Sequence, residues 1–205
     1  MVYVSSDFHF FHNNIHKYTN RHSNCNDEYI CGLIYHLKNI KESDILIFLG
    51  DLACSTRKSV QKCKYLMDFI NCKKIFIRGN HDYWLTNDDI KWIGFEIVED
   101  YLLFGDTLFC HYPFDSDKPY ANYGKHNYLW DLFCNNPKIK TIYCGHTHNT
   151  KPHKNDNTLR INCCVDFHKQ GYNIVPITDK ALSKQIEDYY AKNADYIEAP
   201  TINAC

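Results

Sequence analysis

The chain has no surplus of charge: 23 Lys+Arg stand against 24 Asp+Glu, a formal net charge of −1. That excludes a strongly basic chain held to nucleic acid by bulk charge, and equally an acidic solvating tail. It has no apolar run near the roughly 18–20 residues that a membrane helix needs; the longest, such as Ile45-Leu46-Ile47-Phe48-Leu49, are far shorter. It opens without a basic n-region or a cleavage site, so no signal peptide is expected and the cytoplasm (a host's, should the genome be viral) is the expected location. Eleven cysteines include no C-x-x-C pair. Zinc-ribbon and redox motifs are therefore missing, and reduced, buried, inert thiols are expected. No internal repeat and no low-complexity linker divides the 205 residues, which are expected to form one domain. Arginine is scarce, at 4, whereas Asn 20, Ile 20, Lys 19 and Tyr 16 are abundant. Those four have A/T-rich codons and report genome bias rather than physics. With 44% hydrophobic and 15% aromatic residues, the composition is too apolar for disorder and sufficient for a sizeable core.

Short apolar runs predict buried strands at Val2–Ser5, 44–49, 74–77, 107–110 and 139–144, with later strands at 158–165 and 172–177. Apolar residues at 30, 33, 34 and 37, and again at 63, 66, 67 and 70, predict helices over 27–40 and 59–70. Further helices are expected over 123–133 and 181–191, the last followed by a short tail. Strands alternating with helices imply an α/β or layered α+β domain. Gly105-Asp106 reads as a hairpin turn between Leu103 and Thr107.

The segments just after the strands are more telling. Asp7-Phe8-His9, Gly50-Asp51, Gly79-Asn80-His81-Asp82, His111-Tyr112-Pro113 and Gly145-His146-Thr147-His148 each come directly after an apolar run or within two residues of one. Sites in open α/β sheets lie outside the carboxyl ends of strands, so five such ends could converge. Glycine, which permits sharp turns and close backbone approach, precedes three of the five. Each motif alone could be ordinary polar sequence, since a D-x-H is expected about once by chance. G-H-x-H is expected only about 0.03 times, and G-N-H-D less often still.

His, Asp and Asn are borderline-to-hard ligands suited to Mn, Fe, Zn, Co or Ni. Seven such groups, Asp7, His9, Asp51, Asn80, His111, His146 and His148, are too many for one ion. They suit two ions about 3.5–4 Å apart that share a carboxylate. In an extended His146-Thr147-His148 both imidazoles point the same way. A water between two cations becomes a hydroxide nucleophile near neutral pH, and the same ions bind phosphoryl oxygens without any basic patch.

This ordered set, D-x-H, G-D, G-N-H-D, H and G-H-x-H over residues 7–148, resembles the calcineurin-like metallophosphoesterase superfamily. The short chain, Phe11-His12-Asn13-Asn14-Ile15, His111-Tyr112-Pro113, Val165-Asp166 and Ile174-Val175-Pro176-Ile177 are similar to its small bacterial and phage phosphodiesterase branch. The resemblance implies a two-sheet β-sandwich flanked by helices. It implies that Asp7, His9 and His148 hold a first metal, that Asp51 bridges, and that Asn80, His111 and His146 hold a second. It also implies that His81 protonates the leaving oxygen or donates to phosphoryl oxygens, with Asp82 orienting it. Two divalent ions are then the cofactors, manganese expected first and iron, zinc, nickel or cobalt as alternatives.

Departures from other branches narrow the expectation. Leu52-Ala53-Cys54-Ser55 stands where the protein serine/threonine phosphatases carry an Asp-Arg pair. There is no room for the capping domain of the nuclease branch, and His81, lost in the scaffold branch, is present. Arg78 reads either as a bidentate phosphate contact or as the partner of an acid at a strand end. His12, Asn13 and Tyr112 are candidate pocket residues, and the loop over 114–127 is a candidate specificity element. The basic cluster Lys151, His153 and Lys154 reads as a solvated loop before it reads as anion steering. His16, His22, His36, His126, His153 and His168 read as surface or satisfied polar residues. The expected activity is hydrolysis of a phosphodiester, of a nucleotide or related small molecule, by a metal-bridging hydroxide, with nucleic-acid ends as further substrates and no membrane partner. The alternatives are a phosphomonoesterase or nucleotidase, and a metal-stabilised binding protein.

Overall fold

The computed structural model describes residues 1–19, 21, 26–53, 57–115, 127–148, 156–167 and 172–194. The strands are β1 (Val2–Ser5), β2 (Ile45–Phe48), β3 (Lys73–Ile77), β4 (Ile97–Glu99), β5 (Leu102–Phe104), β6 (Thr107–Phe109), β7 (Thr141–Cys144), β8 (Leu159–Asn162) and β9 (Val175–Pro176). The helices are α1 (Asn26–Leu37), α2 (Arg57–Met67), α3 (Asn87–Ile93), α4 (Asn127–Phe133) and α5 (Lys180–Asn193). One sheet has the order β4-β3-β2-β1-β9 and the other β5-β6-β7-β8. Strands β1 to β4 run parallel, with β9 antiparallel on the β1 edge. Pro176, which has no N–H to give a ladder, lies on that edge strand. Strands β6 to β8 run parallel, and β5 joins β6 through the expected hairpin.

Alternation along β2 explains why its run is apolar throughout. Ile45 and Ile47 point into a cluster between the sheets with Val2, Val4, Ile75, Ile77, Phe109 and Tyr143. Leu46 and Phe48 point the other way, into a cluster with α1, α2 and α3. On the far side of the second sheet, Leu108, Cys110, Ile142 and Cys144 pack on Leu129 and Phe133 of α4. The result is two sheets face to face with helices outside, the layered α/β sandwich expected from the sequence. Asp179 caps α5 by accepting from the N–H groups of Ala181 and Leu182. Helix α3 and strand β4 are additions to the expected elements. The 114–127 loop is described only at its ends, and the 151–154 cluster, His22, His126, His168 and the chain after 194 lie outside the described residues. None of the eight described cysteines forms a disulfide with another described residue. Among the described residues no helix is long and apolar enough to cross a membrane.

The two sheets meet at one end. Ser6, just past β1, bridges Cys164, just past β8: Ser6 N–H donates to Cys163 O and Val165 N–H to Ser6 O, each at 3.0 Å. Parallel register brings the ends of β1, β2 and β3 to one edge, and the ends of β6, β7 and β8 to the matching edge. The motif-bearing loops therefore open onto a common cleft.

Candidate metal centre

Four of the seven candidate ligands need unusual backbone. Asp7, His9, Asp51 and His146 have φ of 60°, 45°, 59° and 68°, a left-handed region that costs side-chain-bearing residues of order 1–3 kcal/mol each. Backbone bonds between loops hold them there. Asp7 N–H donates to Gly50 O at 2.9 Å and His9 N–H to Asp51 O at 3.0 Å. His146 N–H reaches both Asp7 carboxylate oxygens, at 3.2 and 3.1 Å. Two glycines allow the loops to close: a Cβ on Gly79 would strike Asp51 Oδ1, and one on Gly145 would strike Asp7 Oδ2 and Ser6 Oγ.

The side chains then converge in two sets. His9 Nε2 lies 3.8 Å from Asp7 Oδ1 and 3.6 Å from Asp51 Oδ2, and His148 Nε2 lies 3.7 Å from Asp7 Oδ1. Asn80 Oδ1 lies 3.0 Å from both His111 Nε2 and His146 Nδ1. Asp51 Oδ2 belongs to both sets, since His111 Nε2 is 3.4 Å away. The seven expected ligands thus converge with Asp51 between the two groups; His9, Asp51, Asn80, His146 and His148 line one cleft, and Asp7 and His111 lie buried beneath it.

These residues fit divalent ions on an observation of their own. His111 Nδ1 lies 2.6 Å from Leu49 O, which can only accept, so that nitrogen carries the hydrogen. In the neutral ring Nε2 then holds a lone pair, and it faces two oxygens, Asn80 Oδ1 and Asp51 Oδ2. Lone pairs so turned on one another require a cation between them. The same holds for His148, whose Nδ1 is 2.8 Å from Asp166 Oδ1 while its Nε2 faces Asp7. Without a metal a proton fills that need. His111 is pushed up to about 9 because the Asp51 charge and hydrogen bond, the Asp7 charge and the Leu49 carbonyl together outweigh the burial that would lower it. Asp51 is held low because His111, His9 and His81 together outweigh its own burial. Burial drives His9 well down and His146 down to about 3, so their rings stay neutral and each keeps one nitrogen lone pair.

The other expected residues divide. His81 is exposed at the cleft, anchored by its N–H on Asp51 Oδ1 at 2.8 Å, with its ring 5.3 Å from that of His9. His12 lines the cleft, its ring 6.0 Å from His9. Asp82 is corrected. It is fully buried and does not hold the His81 ring; its two oxygens accept from the N–H groups of Asp51, Leu52 and Gly79 at 2.7, 3.0 and 2.8 Å. Burial and the Asp51 charge push it up to about 7 against those donors. It clamps the Gly50 and Gly79 loops together. Arg78 is also corrected: its guanidinium bonds Leu85 O and Asn87 Oδ1 at the start of α3, and among the described residues it neither lines the cleft nor pairs with an acid. Tyr112 is fully buried behind the site, 5.0 and 5.3 Å from the rings of His111 and His146. Asn13 is exposed and stands outside the cleft lining.

Sequence reasoning misses Arg21 and reaches Asp166 only through a resemblance. Both are buried behind His148, where Arg21 Nε donates to Asp166 Oδ2 at 2.9 Å. Position alone could have marked Asp166, which comes after the strand run of 158–165 as the other motifs come after theirs. Cys164 Sγ lies 3.2 Å from His148 Nδ1 and donates to Asp166 Oδ1 at 3.1 Å. Burial holds the thiol well above its usual range, so it serves as a neutral packing group beside the ligands rather than a thiolate among them.

Comparison with known proteins places this geometry in a class. The sequence model of the calcineurin-like phosphoesterases matches residues 1–150, and the chain belongs to that family. The chemistry of the class is metal-dependent hydrolysis of a phosphoester, and the buried Asp and His groups supply ligands for the metal. The chain is 43% identical over 82 residues to the uncharacterized protein MJ1445 of Methanocaldococcus jannaschii. That stretch is 40% of this chain and 46% of that protein, so the chain spans about half of that relative's length. The fold is similar to the crystal structure of AQ665 of Aquifex aeolicus, a protein of unknown function. The TM-score is 0.59 at 21% identity, over 92% of this chain and 98% of that one.

Proposed function

We propose that the chain is a dinuclear phosphodiesterase acting on a nucleotide or a related small-molecule diester. The observation that carries the reading is the place of Asp51 Oδ2, 3.6 Å from His9 Nε2 and 3.4 Å from His111 Nε2, one oxygen between two ligand sets. Asp7, His9 and His148 hold one ion, Asn80, His111 and His146 the other, and Asp51 holds both. Bound there, two divalent ions supply Lewis-acid charge for the phosphoryl oxygens and bring the pKa of water towards neutrality. His81, at the cleft and fixed through its backbone, gives a proton to the leaving oxygen.

The diester preference rests on charge and space. The cleft of about 340 Å³ is lined by His9, His12, Ile15, Tyr18, Asp51, Asn80, His81, His146 and His148, small-molecule size. No lysine or arginine stands among those residues. A monoester brings roughly −1.5 to −2 charge at pH 7, a diester a single one, which two ions balance unaided. Ile15 and Tyr18 offer an apolar wall to the second ester group. The test is hydrolysis of bis-p-nitrophenyl phosphate and p-nitrophenyl phosphate after Mn²⁺ reloading, with elemental analysis of the same sample. Two ions per chain and a kcat/KM at least tenfold higher for the diester are expected. A monoester preference would overturn the diester assignment, and at most one ion after reloading would overturn the dinuclear one.

A further inference from the structure

Behind the Asp7–His9–His148 set lies a buried ion pair that takes no part in the chemistry so far described. The side chains of Arg21 and Asp166 are fully buried, with Arg21 Nε 2.9 Å from Asp166 Oδ2. A buried pair is costly unless its remaining hydrogen-bonding capacity is used. Here nearly all of it is. Arg21 Nη2 donates to Asp7 O at 3.1 Å and Phe8 O at 2.8 Å, Nη1 donates to Asn26 Oδ1 at 3.1 Å, and the guanidinium lies 4.4 Å over the Tyr29 ring. Asp166 Oδ1 takes the His148 Nδ1 hydrogen at 2.8 Å. One pair of residues therefore grips two loops from opposite sheets: the backbone that carries Asp7 and the imidazole of His148.

We propose that Arg21 and Asp166 form a positioning relay for the first metal, in which Asp166 fixes the His148 ring with Nε2 turned towards Asp7 and Arg21 ties Asp166 to the Asp7–Phe8 backbone. This rests on the ligand assignment proposed above. A carboxylate on the far nitrogen of a ligating imidazole sets its tautomer and orientation and makes it a better donor. Arginine suits the task through its planar fork, which reaches a carboxylate and two carbonyls at once; lysine, with a single ammonium, cannot reproduce that. The second set is held differently: His111 Nδ1 rests on the Leu49 carbonyl, and the Tyr112 ring stands behind His146.

The relay is tested by Mn²⁺ binding calorimetry on wild type and Asp166→Asn, with circular dichroism as the folding control. Asparagine keeps the shape but cannot accept from Arg21 and His148 together while its amide hydrogens face either one. One of the two binding steps should weaken about 10–100-fold and the other should stay within about twofold. Arg21→Lys should weaken the same step. A wild type that binds two ions beside an Asp166→Asn chain that binds both unchanged would overturn the relay alone. A wild type that binds no ion would overturn the ligand assignment and the relay with it. A second measurement needs no variant. In the metal-free wild type, at a pH where the ring is neutral, ¹⁵N NMR should show His148 with its hydrogen on Nδ1, and the Nε2–H tautomer would overturn the proposal.

Discussion

Behind His148 stands a line of charge, Asp166 and then Arg21. Behind His111 and His146 stand a backbone carbonyl and the Tyr112 ring, itself packed on Phe114. The ligand type is the same on both sides and the support is opposite. Charge behind an imidazole raises its basicity: His148 is pushed up, since the Asp166 hydrogen bond and the Asp7 and Asp166 charges together outweigh burial. Apolar backing does the reverse and leaves His146 at about 3. Burial keeps the His146 lone pair available, while His111 leans on the Leu49 carbonyl and the Asp51 charge; with no charge standing behind either ring, packing carries more of the geometry on this side. One side therefore breaks under an isosteric loss of charge, and the other under a change of volume.

Asp51 is the residue both halves share, so its loss should have the largest effect. Asp51→Asn replaces an oxygen that faces His9 and His111 and removes a charge set against two dications. It should cost activity well beyond the roughly 100-fold of a change in a supporting group, and excess Mn²⁺ should not restore it. His148→Ala removes one terminal ligand, so excess metal should restore part of the activity by mass action. Side-by-side Mn²⁺ titrations check this; recovery of Asp51→Asn with none for His148→Ala would put the bridge elsewhere.

His81 belongs to neither half, and its loss should separate chemistry from metal binding. His81→Ala should keep both ions by elemental analysis and lose on the order of 10²–10⁴ in kcat. The loss should be smaller for p-nitrophenolate, which needs less protonation to leave. Wild-type activity of His81→Ala on an unactivated diester would remove the residue from the reaction. A smaller effect should come from Gly145→Ala, whose new methyl meets Asp7 Oδ2 and Ser6 Oγ. Overpacking of this kind costs roughly 1–3 kcal/mol, several degrees in Tm for a chain of this size. The weakened ion should be the one at Asp7, not the one at Asn80. Calorimetry that finds both binding steps unchanged would show that the loop yields without moving the ligand.

The site is legible in the sequence because of how it is built. Its candidate ligands sit at the ends of short apolar strands, next to glycines that let loops meet, and both signals are local. Helix α3 carries an equally local signal that the apolar periodicity does not catch: Thr86 and Asp89 form a reciprocal cap and Gly94 ends the helix at φ 118°. Strand β4, three residues on a sheet edge, carries too little pattern to read. The role that the resemblance implies for Asp82 does not hold in the structure, because the helical turn Asn80–Asp82 sends His81 outward and Asp82 under the Gly50 loop. Arg21 has no local signal, because its partners at 7, 8 and 166 meet it only in the folded chain. Tyr112, next to His111, reads as a pocket residue, yet it faces the apolar cluster of the second sheet.

The smallest expected effect concerns Arg78, and it marks where the site ends. The residue directly precedes the Gly79-Asn80-His81-Asp82 motif, and a guanidinium there would be a natural phosphate ligand. Its side chain turns away instead, to Leu85 O at 3.0 Å and to Asn87. Its N–H donates to Glu99 O at 2.9 Å, tying β3 to the end of β4. Arg78→Ala keeps that backbone bond and removes only the side-chain bonds to the segment entering α3. A net hydrogen bond contributes about 0.5–1.5 kcal/mol, so losing the two should lower stability by about 1–3 kcal/mol. The kcat/KM for bis-p-nitrophenyl phosphate should stay within about twofold of wild type, because neither ligand set touches Arg78. Urea unfolding and steady-state kinetics on the same preparation measure both. A loss of roughly 100-fold or more in kcat/KM, about 2.7 kcal/mol in transition-state binding, would mean that the guanidinium swings into the cleft when substrate arrives. The basic residue absent from the cleft lining would then have been found, and the charge argument for a diester would lose its footing.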